Sequence, residues 1–514
     1  MKKIIAMGAA VALAASMFAA EPAANAAVTE FTGNASVEWG VDLDSKKTGF
    51  KNSTDAQLKF KLFDGGSKST EGSGIWAELK IKSDDDGNPA WKAENGTPTI
   101  KEALIDTAKI HIYNFYVGIQ KGDTETGEFK PQAAIVSDKA WLVNVGPAGF
   151  TQGLVFGYDD SNIDAKVDFR SFEDTSEKTP TQYTNAYAIA AEATMKDANE
   201  WVEGLEVKGG VSYNFSKNYY EKAANNLAVK KFALKHGINS VEGSILGYSG
   251  SVAYKVALDD KYYIKPMAGI VGDVLSGELG TVDYLRNGNE FVASVLFGWG
   301  AQVDANAGVP FLDGDDAKKV TPGVSVVFTM PLPIKETMDS KDKSTYVRDI
   351  AKIVPSIYSG DIFDGLKFGA YSEIILMRDE VEVGSGYIKD ACADKDRATA
   401  IAIAAGASYD VKAGDVTITT KAGARYANKA YVENSFINKD KDGKEVGLFK
   451  DLGYAKDDEG YLNLKIGADI NGLLDNTTFF VNYTSANLLN ETDYADDYYA
   501  VKAGTLNVGA KIHF

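Results

Sequence analysis

The sequence is poor in cysteine, histidine and proline. Of 514 residues, one is Cys, three are His and 12 are Pro. Cys392 cannot form an intramolecular disulfide, and it has no CxxC partner or neighbouring histidine with which to build a metal site. The histidines, His111, His236 and His513, stand in no nucleophile motif. These absences predict a protein that is not an enzyme and that needs no cofactor or metal.

Long apolar runs and a basic excess are also missing. No segment after Ala27 is long enough to cross a bilayer as a helix, and the most apolar stretch, residues 400–407, lies between Arg397 and Asp410. The mean hydropathy of -0.20 is too polar for a helical membrane protein. Acidic residues outnumber basic ones by 72 to 54, and the net charge of -18 argues against nucleic-acid binding.

The last ten residues, 505–514, have one polar and one apolar face. Successive side chains of a strand point to opposite sides, so this segment forms an unbroken apolar face. A strand of this kind that ends on an aromatic residue resembles the signal that the barrel-assembly machinery reads in bacterial outer-membrane β-barrels. The residues of this candidate assembly signal are Leu506, Val508, Ala510, Ile512 and Phe514.

The first 26 residues have the three parts of a secretory signal peptide. Lys2 and Lys3 form a positive start, an apolar stretch runs from Ile4 to Ala15, and Ala-Asn-Ala at 24–26 provides small residues for cleavage near Ala26. A membrane anchor is the alternative, although Ser16 interrupts its apolar run. The sequence therefore predicts export, with residues 27–514 forming the mature protein.

Alternation of apolar and polar residues recurs along the mature chain, between turns rich in Gly, Asp, Asn and Ser. It is clear in segments 35–43, 56–63, 75–82, 205–215, 291–303, 366–371, 416–426, 461–470 and 479–483. With 50 Gly, 26 Tyr and 24 Phe, the composition suits many strands joined by tight turns. We predict an all-β fold, a large antiparallel transmembrane β-barrel of about 16–20 strands with long loops. A soluble β-sandwich with one wet face is the alternative.

A barrel of this kind places polar residues toward its lumen and apolar residues toward lipid. The alternation selects candidate pore-lining residues from the face opposite the apolar one. Each of them also suits a merely solvated face. The candidates are Lys59, Lys61, Glu78, Lys80, Lys82, Lys421, Arg425, Lys465, Asp469 and Lys511.

Some segments do not fit the pattern. Residues 223–237 and 345–359 have helix-compatible composition and are expected to be loops outside or inside the barrel, and residues 98–109 suit either a helix or a strand. Residues 438–443 mimic the start of a calcium loop, but Phe449 stands where that loop needs a bidentate Glu. An outer-membrane phospholipase stays open as an alternative, whereas a plugged 22-stranded transporter would strain a chain of this length.

The order of segments 37–53, 72–82, 115–119 and 149–159 resembles the treponemal major outer sheath protein and the related Tpr surface proteins of spirochaetes. The resemblance covers nearly the whole mature chain. It divides the barrel into an N-terminal family region of about 27–220, a variable central region of about 221–360 and a C-terminal region of about 361–514. Whether the N-terminal region belongs to the barrel or to the periplasm is open, and the alternation in 35–82 favours the barrel.

The resemblance implies an outer-membrane porin that works as a homotrimer and is also a surface antigen and adhesin for host extracellular-matrix proteins. It supplies no catalytic or metal-binding residues. The expected function is a water-filled channel for small hydrophilic solutes. The alternative is an adhesin that uses a non-conducting barrel as a scaffold for its exposed loops.

Overall fold

The computed structural model describes the barrel strands and most of their short connections. The described residues are 27–44, 46–63, 75–83, 103–120, 152–173, 185–214, 241–279, 282–300, 303–304, 319–338, 341–345, 349–360, 363–377, 399–431, 460–489 and 503–513. Within these ranges nearly every residue lies in a strand or a tight turn. No helix in these ranges has the length and apolar character needed to cross a membrane.

The first half of the chain forms thirteen strands. They are β1 (Ala27–Asp42), β2 (Thr48–Phe63), β3 (Ile75–Ser83), β4 (Ala103–Ile112), β5 (Phe115–Gln120), β6 (Gln152–Asp159), β7 (Ile163–Glu173), β8 (Asn185–Met195), β9 (Leu205–Asn214), β10 (Val241–Tyr254), β11 (Val256–Ala257), β12 (Tyr262–Leu279) and β13 (Val282–Trp299).

Twelve strands follow in the second half. They are β14 (Val303–Asp304), β15 (Lys319–Val320), β16 (Gly323–Pro331), β17 (Ile334–Met338), β18 (Lys341–Thr345), β19 (Asp349–Tyr358), β20 (Leu366–Met377), β21 (Thr399–Ala413), β22 (Val416–Asn428), β23 (Gly460–Leu474), β24 (Thr477–Thr484) and β25 (Thr505–His513).

Twenty of these strands pair antiparallel with their neighbours in a closed ring, so the predicted barrel is confirmed. The ring closes where β1 pairs with β25, from Asn34 opposite His513 to Asp42 opposite Thr505. The remaining strands are additions: β11 extends β10 along β12, the β17–β18 hairpin pairs with β13, and β14 pairs with β15. Closure gives each of the twenty ring strands a neighbour on both sides, so the ring itself has no free edge.

The two rims of the barrel differ in the length of their connections. The rim that holds the start of β1 and the end of β25 has turns of two or three residues at 113–114, 160–162, 414–415 and 475–476. It also holds two longer connections, 64–74 and 300–322. The opposite rim receives the connections 84–102, 121–151, 215–240, 378–398, 429–459 and 485–504. Outer-membrane barrels have short periplasmic turns and long external loops, so this rim is the one expected to face outward.

The outside of the barrel is apolar over the thickness of a membrane. On β13 the outward residues run from Trp299 through Phe297, Val295 and Phe291 to Asn289. Ten residues of strand rise about 33 Å. At a tilt of about 40° this corresponds to ~25 Å along the barrel axis, the height of the apolar band in outer-membrane barrels.

Aromatic side chains cluster on the outside near the short-turn rim. Phe115 meets Tyr158 edge to face with ring centroids 4.9 Å apart, and the Phe297 ring lies 5.9 Å from Tyr262 and 6.0 Å from Trp299. Amphipathic rings at this height suit the interface between lipid and water. We refer to these five residues as the aromatic girdle.

One expectation about local structure is wrong. Residues 345–359 were expected to be a loop, but Asp349–Tyr358 form β19, a strand of the ring. Pro355 is tolerated because the pairing of β19 with β20 is interrupted at Val354 and Pro355, where the proline cannot donate to the ladder. The ambiguous segment 98–109 contributes to a strand, β4, and residues 223–237 lie outside the described residues.

Candidate functional site: the inner wall of the barrel

The register of the strands fixes which residues face inward. Residues that oppose each other in an antiparallel pair point to the same side of the sheet. A row of inward residues therefore continues from strand to strand, for example Glu78 opposite Lys109 and Lys109 opposite Gly118. The lipid-facing residues, such as Val324 and Val326 on β16, alternate with this row and are exposed on the outside.

Seven of the ten candidate pore-lining residues lie at inward positions, and for the other three, Lys59, Lys61 and Lys82, the structure gives the register. On β3 the inward candidates are Glu78 and Lys80, while Lys59, Lys61 and Lys82 are paired with Glu78, Trp76 and Asp55. On β22, β23 and β25 the inward candidates are Lys421, Arg425, Lys465, Asp469 and Lys511, opposite Gly467, Asn463, Gly423, Thr419 and Thr478. The structure places the outward members of the candidate assembly signal on β25, where Val508 opposes Val481 and Trp39. Phe514 lies outside the described residues.

Ion pairs involve several of these candidates. The Lys421 ammonium lies 2.7 Å from the Asp469 carboxylate, on adjacent strands β22 and β23. Glu78 lies 3.8 Å from Lys109 and 3.8 Å from the His111 ring nitrogen on β4. The sequence gives the faces of these residues by alternation, but it does not give the strand neighbours that bring the opposite charges together.

Further ion pairs continue around the inner wall and were not predicted. Lys166 on β7 contacts Glu192 on β8 at 2.6 Å, and Lys208 contacts Glu206 within β9 at 3.0 Å. Lys265 on β12 joins Glu206 at 3.2 Å and Asp197 in the β8–β9 turn at 3.0 Å. Lys352 on β19 contacts Glu373 on β20 at 2.9 Å. Polar residues at alternate strand positions are the signal that marks them in the sequence.

The pairing of charges sets the electrostatic character of the wall. A basic side chain beside an acidic one leaves little net field, and in the partly exposed pair Lys166–Glu192 both groups remain able to bind water or a polar solute. Lys265, Lys352 and Glu373 are at most 5% exposed, and charges this deeply buried are stable only when they are paired. The wall therefore offers hydrogen-bond donors and acceptors side by side.

A ring cluster interrupts the charged wall on β3, β4 and β5. Trp76 and His111 stack with centroids 3.6 Å apart, and the His111 ring lies 5.3 Å from that of Tyr116. The Lys109 ammonium lies 4.9 Å from the Tyr116 ring centroid. Tyr116 leans across Gly157 on β6, and a Cβ atom at this position would overlap the Tyr116 ring, so a larger residue would require the ring to move.

The inner wall also has an apolar arc. Val271, Val292, Val327 and Val354, on β12, β13, β16 and β19, form one buried cluster against Met267. On β21 the inward residues Ala400, Ala402 and Ala404 are small and fully buried. The sequence did not predict this arc on β12, β16, β19 and β21, because apolar residues on both faces of a strand erase the alternation on which the prediction depended.

No cluster of three or more His, Cys, Asp or Glu side chains in the described ranges has the geometry to hold a metal ion. The calcium-loop mimic at 438–449 lies outside those ranges. The groups that the wall brings together are thus ion pairs, hydroxyls, amides and aromatic rings.

Comparison with known proteins places the chain beside treponemal surface proteins. It is 26% identical to the major surface protein MspTL of Treponema lecithinolyticum over an alignment that covers 100% of both chains. It is 42% identical to the major outer membrane protein MspA of Treponema maltophilum over 201 residues, 35% of each chain. These matches confirm the predicted resemblance and an outer-membrane location. No family model matches the chain.

Two outer-membrane proteins are among the solved structures that match the chain. The outer-membrane channel DcaP of Acinetobacter baumannii has a TM-score of 0.34 and 9% identity, with 96% of this chain and 98% of that chain covered. The trimer form of OmpT from Vibrio cholerae has a TM-score of 0.33 and 8% identity, with coverage of 95% and 100%.

Proposed function

We propose that the chain, which is similar over its whole length to the major surface protein MspTL of Treponema lecithinolyticum, is a porin that carries small hydrophilic solutes across the outer membrane. The observation that carries this proposal is the segregation of side chains across a closed wall. Apolar residues such as Val295 and Phe297 face outward, whereas ion pairs such as Lys421–Asp469 and Lys166–Glu192 face inward. An aqueous passage is the environment that such an interior suits.

The proposed mechanism is passive diffusion. A solute that enters the barrel exchanges water for hydrogen bonds to the wall, so it never meets the hydrocarbon that would block its passage. Since basic and acidic side chains alternate in pairs, the wall is expected to discriminate weakly between small cations and anions. No chemical step or cofactor takes part in this process.

Recording from planar bilayers tests the proposal. Purified protein with a heat-modifiable gel shift should produce discrete conductance steps, and the same protein after boiling should produce none. Folded protein that inserts without conductance steps would contradict the porin function and leave the barrel as a scaffold.

The candidate pore-lining residues are tested by a pair of adjacent positions on β23. In a background with Cys392→Ala, Lys465→Cys is proposed to face the passage and Leu464→Cys to face lipid. A charged, membrane-impermeant thiol reagent should reduce the current through the first variant and leave the second unchanged. An equal loss of current in both variants would contradict the assignment of Lys465 to the pore lining.

A second candidate function is adhesion to host extracellular-matrix proteins. The long connections 121–151, 215–240 and 429–459 reach one rim of the barrel, and this arrangement favours exposed binding loops. Binding of immobilised matrix proteins by folded protein, and loss of binding after replacement of one long connection, tests this role independently of conductance.

Export and assembly complete the proposal. A signal peptide is cleaved near Ala26, the barrel-assembly machinery reads the apolar face of β25, and the mature barrels associate as homotrimers. N-terminal sequencing of the membrane form tests the first step. Cross-linking in detergent followed by mass measurement tests the last, and a monomer under all conditions would contradict it.

A further inference from the structure

We propose that Tyr431, Glu373 and Lys352 form a clamp that holds the start of the β22–β23 connection inside the barrel and narrows the passage. The proposal rests on the porin function and adds a set of residues that determines the width of the channel. Only residues up to Tyr431 enter the argument.

The chain leaves the sheet at Asn428, the last residue of β22. Its side-chain amide forms hydrogen bonds to β21 in place of the backbone bonds of the ladder. The Asn428 side-chain oxygen accepts from the Ile401 N–H at 3.0 Å, and the side-chain nitrogen donates to the Thr399 carbonyl at 3.1 Å. The same oxygen accepts from the Tyr431 N–H at 2.9 Å. Asn428 thus ends the strand without leaving β21 unpaired and begins a helical turn over residues 429–431.

This turn runs toward the lumen. The Tyr431 hydroxyl donates to a Glu373 oxygen at 2.5 Å, although Tyr431 follows β22 and Glu373 belongs to β20, two strands away. The strand between them, β21, presents Ala402 at the inward position that opposes both Glu373 and Ala427. Reaching Glu373 from the end of β22 therefore requires the chain to cross the inner face of β21.

The small size of the β21 residues makes room for this crossing. Ala400, Ala402 and Ala404 are inward residues of a channel wall, yet each has 0% of its surface exposed. In an open, water-filled barrel the side chain of an inward alanine would be exposed to solvent. Their complete burial, together with that of Tyr431 at 2%, indicates that protein lies over this part of the wall.

The clamp uses both oxygens of one carboxylate. Glu373 accepts the Tyr431 hydroxyl on one oxygen and contacts the Lys352 ammonium at 2.9 Å on the other. All three side chains are at most 5% exposed, so their hydrogen bonds do not compete with water. A buried carboxylate satisfied in this way fixes the turn firmly, because releasing Tyr431 would leave one of its oxygens without a donor.

Conductance and polymer exclusion test the clamp. Tyr431→Phe removes only the hydroxyl, and Tyr431→Ala removes the ring as well. Tyr426→Ala is the matched control, because it removes a tyrosine ring from the same strand, β22, at an outward position that is 41% exposed. We expect Tyr431→Ala to raise the unit conductance roughly 1.3-fold or more and to admit larger polymers, with a smaller change for Tyr431→Phe. Values equal to or below those of the control would overturn the clamp.

A second measurement needs no current and separates this inference from the porin function. Ala430→Cys, in a Cys392→Ala background, should react slowly with a membrane-impermeant thiol reagent because Ala430 is 8% exposed beside the clamp. Adding Tyr431→Phe or Tyr431→Ala should accelerate labelling several-fold, provided the heat-modifiable shift shows a folded barrel. Equal labelling rates with and without the Tyr431 substitutions would refute the clamp, even if the channel conducts. A non-conducting barrel with accelerated labelling would refute only the porin function.

Discussion

Asn199 organises the turn between β8 and β9. Its side-chain nitrogen lies 2.6, 3.1 and 2.8 Å from the carbonyl oxygens of Lys196, Val202 and Leu205, and its oxygen accepts from the N–H groups of Trp201 and Val202. The side chain is 2% exposed, so water does not replace it. One residue thus satisfies the backbone of a nine-residue turn that also carries Asp197, the partner of Lys265.

We expect Asn199→Ala to lower the free energy of unfolding by about 2–4 kcal/mol, because several buried backbone groups lose their partners. Urea titration of folded protein, followed by tryptophan fluorescence, measures the change. The control is Glu200→Ala, whose side chain is exposed and whose backbone N–H still donates to Asn162. A loss no larger than that of the control would show that Asn199 is dispensable.

Asp160 gives the β6–β7 turn a pH dependence. The Tyr158 hydroxyl and the backbone N–H groups of Ile163 and Asn162 donate to its carboxylate, and these bonds lower the pKa of Asp160 below its ordinary value. Because the folded pKa is lowered, the carboxylate stabilises the fold above its unfolded pKa of about 4. That stability disappears as the pH falls through the folded pKa.

Asp160→Asn keeps the acceptor oxygen and removes the titration. We expect the variant to lose less thermal stability than the natural protein between pH 7 and pH 3, with the temperature of the heat-modifiable transition as the measurement. Identical losses in both proteins would mean that Asp160 does not couple the turn to pH.

At the scale of the strand, the two faces of β25 require different residues: apolar ones toward lipid and polar ones toward the interior. Val508 faces lipid between Val481 and Trp39, and its neighbour Asn507 faces the interior opposite Asn482 and Gly40. Lysine in the middle of the lipid face costs about 2–4 kcal/mol, whereas lysine on the inner face keeps access to water. Val508→Lys should therefore reduce the fraction of heat-modifiable barrel in membranes far more than Asn507→Lys. Equal assembly of the two variants would contradict the assignment of the faces.

Alternation predicted the strands well wherever one face is apolar and the other polar. It predicted the inward positions of Lys80, Lys465 and Asp469, because the face of a residue follows from its position along its own strand, whichever strand pairs with it. It failed for β19, where Pro355 and a helix-compatible composition concealed a strand whose ladder is broken at one point.

The side-chain contacts of the inner wall could not be predicted from the sequence, for a different reason. Lys352–Glu373, Lys265–Glu206 and Tyr431–Glu373 each join residues more than twenty positions apart. Their distances depend on the register of several strands at once, and one residue of slip would turn either partner toward lipid. The faces are a local property of each strand, whereas the ion pairs and the clamp are a property of the closed ring.

The ring as a whole predicts how the protein sits in the membrane. The start of β1 and the end of β25 share one rim with the two- and three-residue turns and with the connection 300–322, whereas the connections 121–151, 215–240, 378–398, 429–459 and 485–504 all reach the other rim. Charged connections of 20 residues or more cannot be buried in hydrocarbon, and they are accommodated only where water is present. Since exported barrels keep short turns on the periplasmic side, the long connections should face the surroundings of the cell.

An epitope tag placed within 378–398 should therefore bind antibody on intact cells, whereas a tag in the turn at 475–476 should bind only after the outer membrane is permeabilised. The two sites lie on opposite rims, so each serves as the control for the other, and the heat-modifiable shift confirms that both tagged proteins fold. Antibody access to the 475–476 tag on intact cells, with none to the 378–398 tag, would invert the orientation. It would also place the Tyr431 clamp at the periplasmic mouth of the channel, because residues 429–431 stand on the same rim as 378–398.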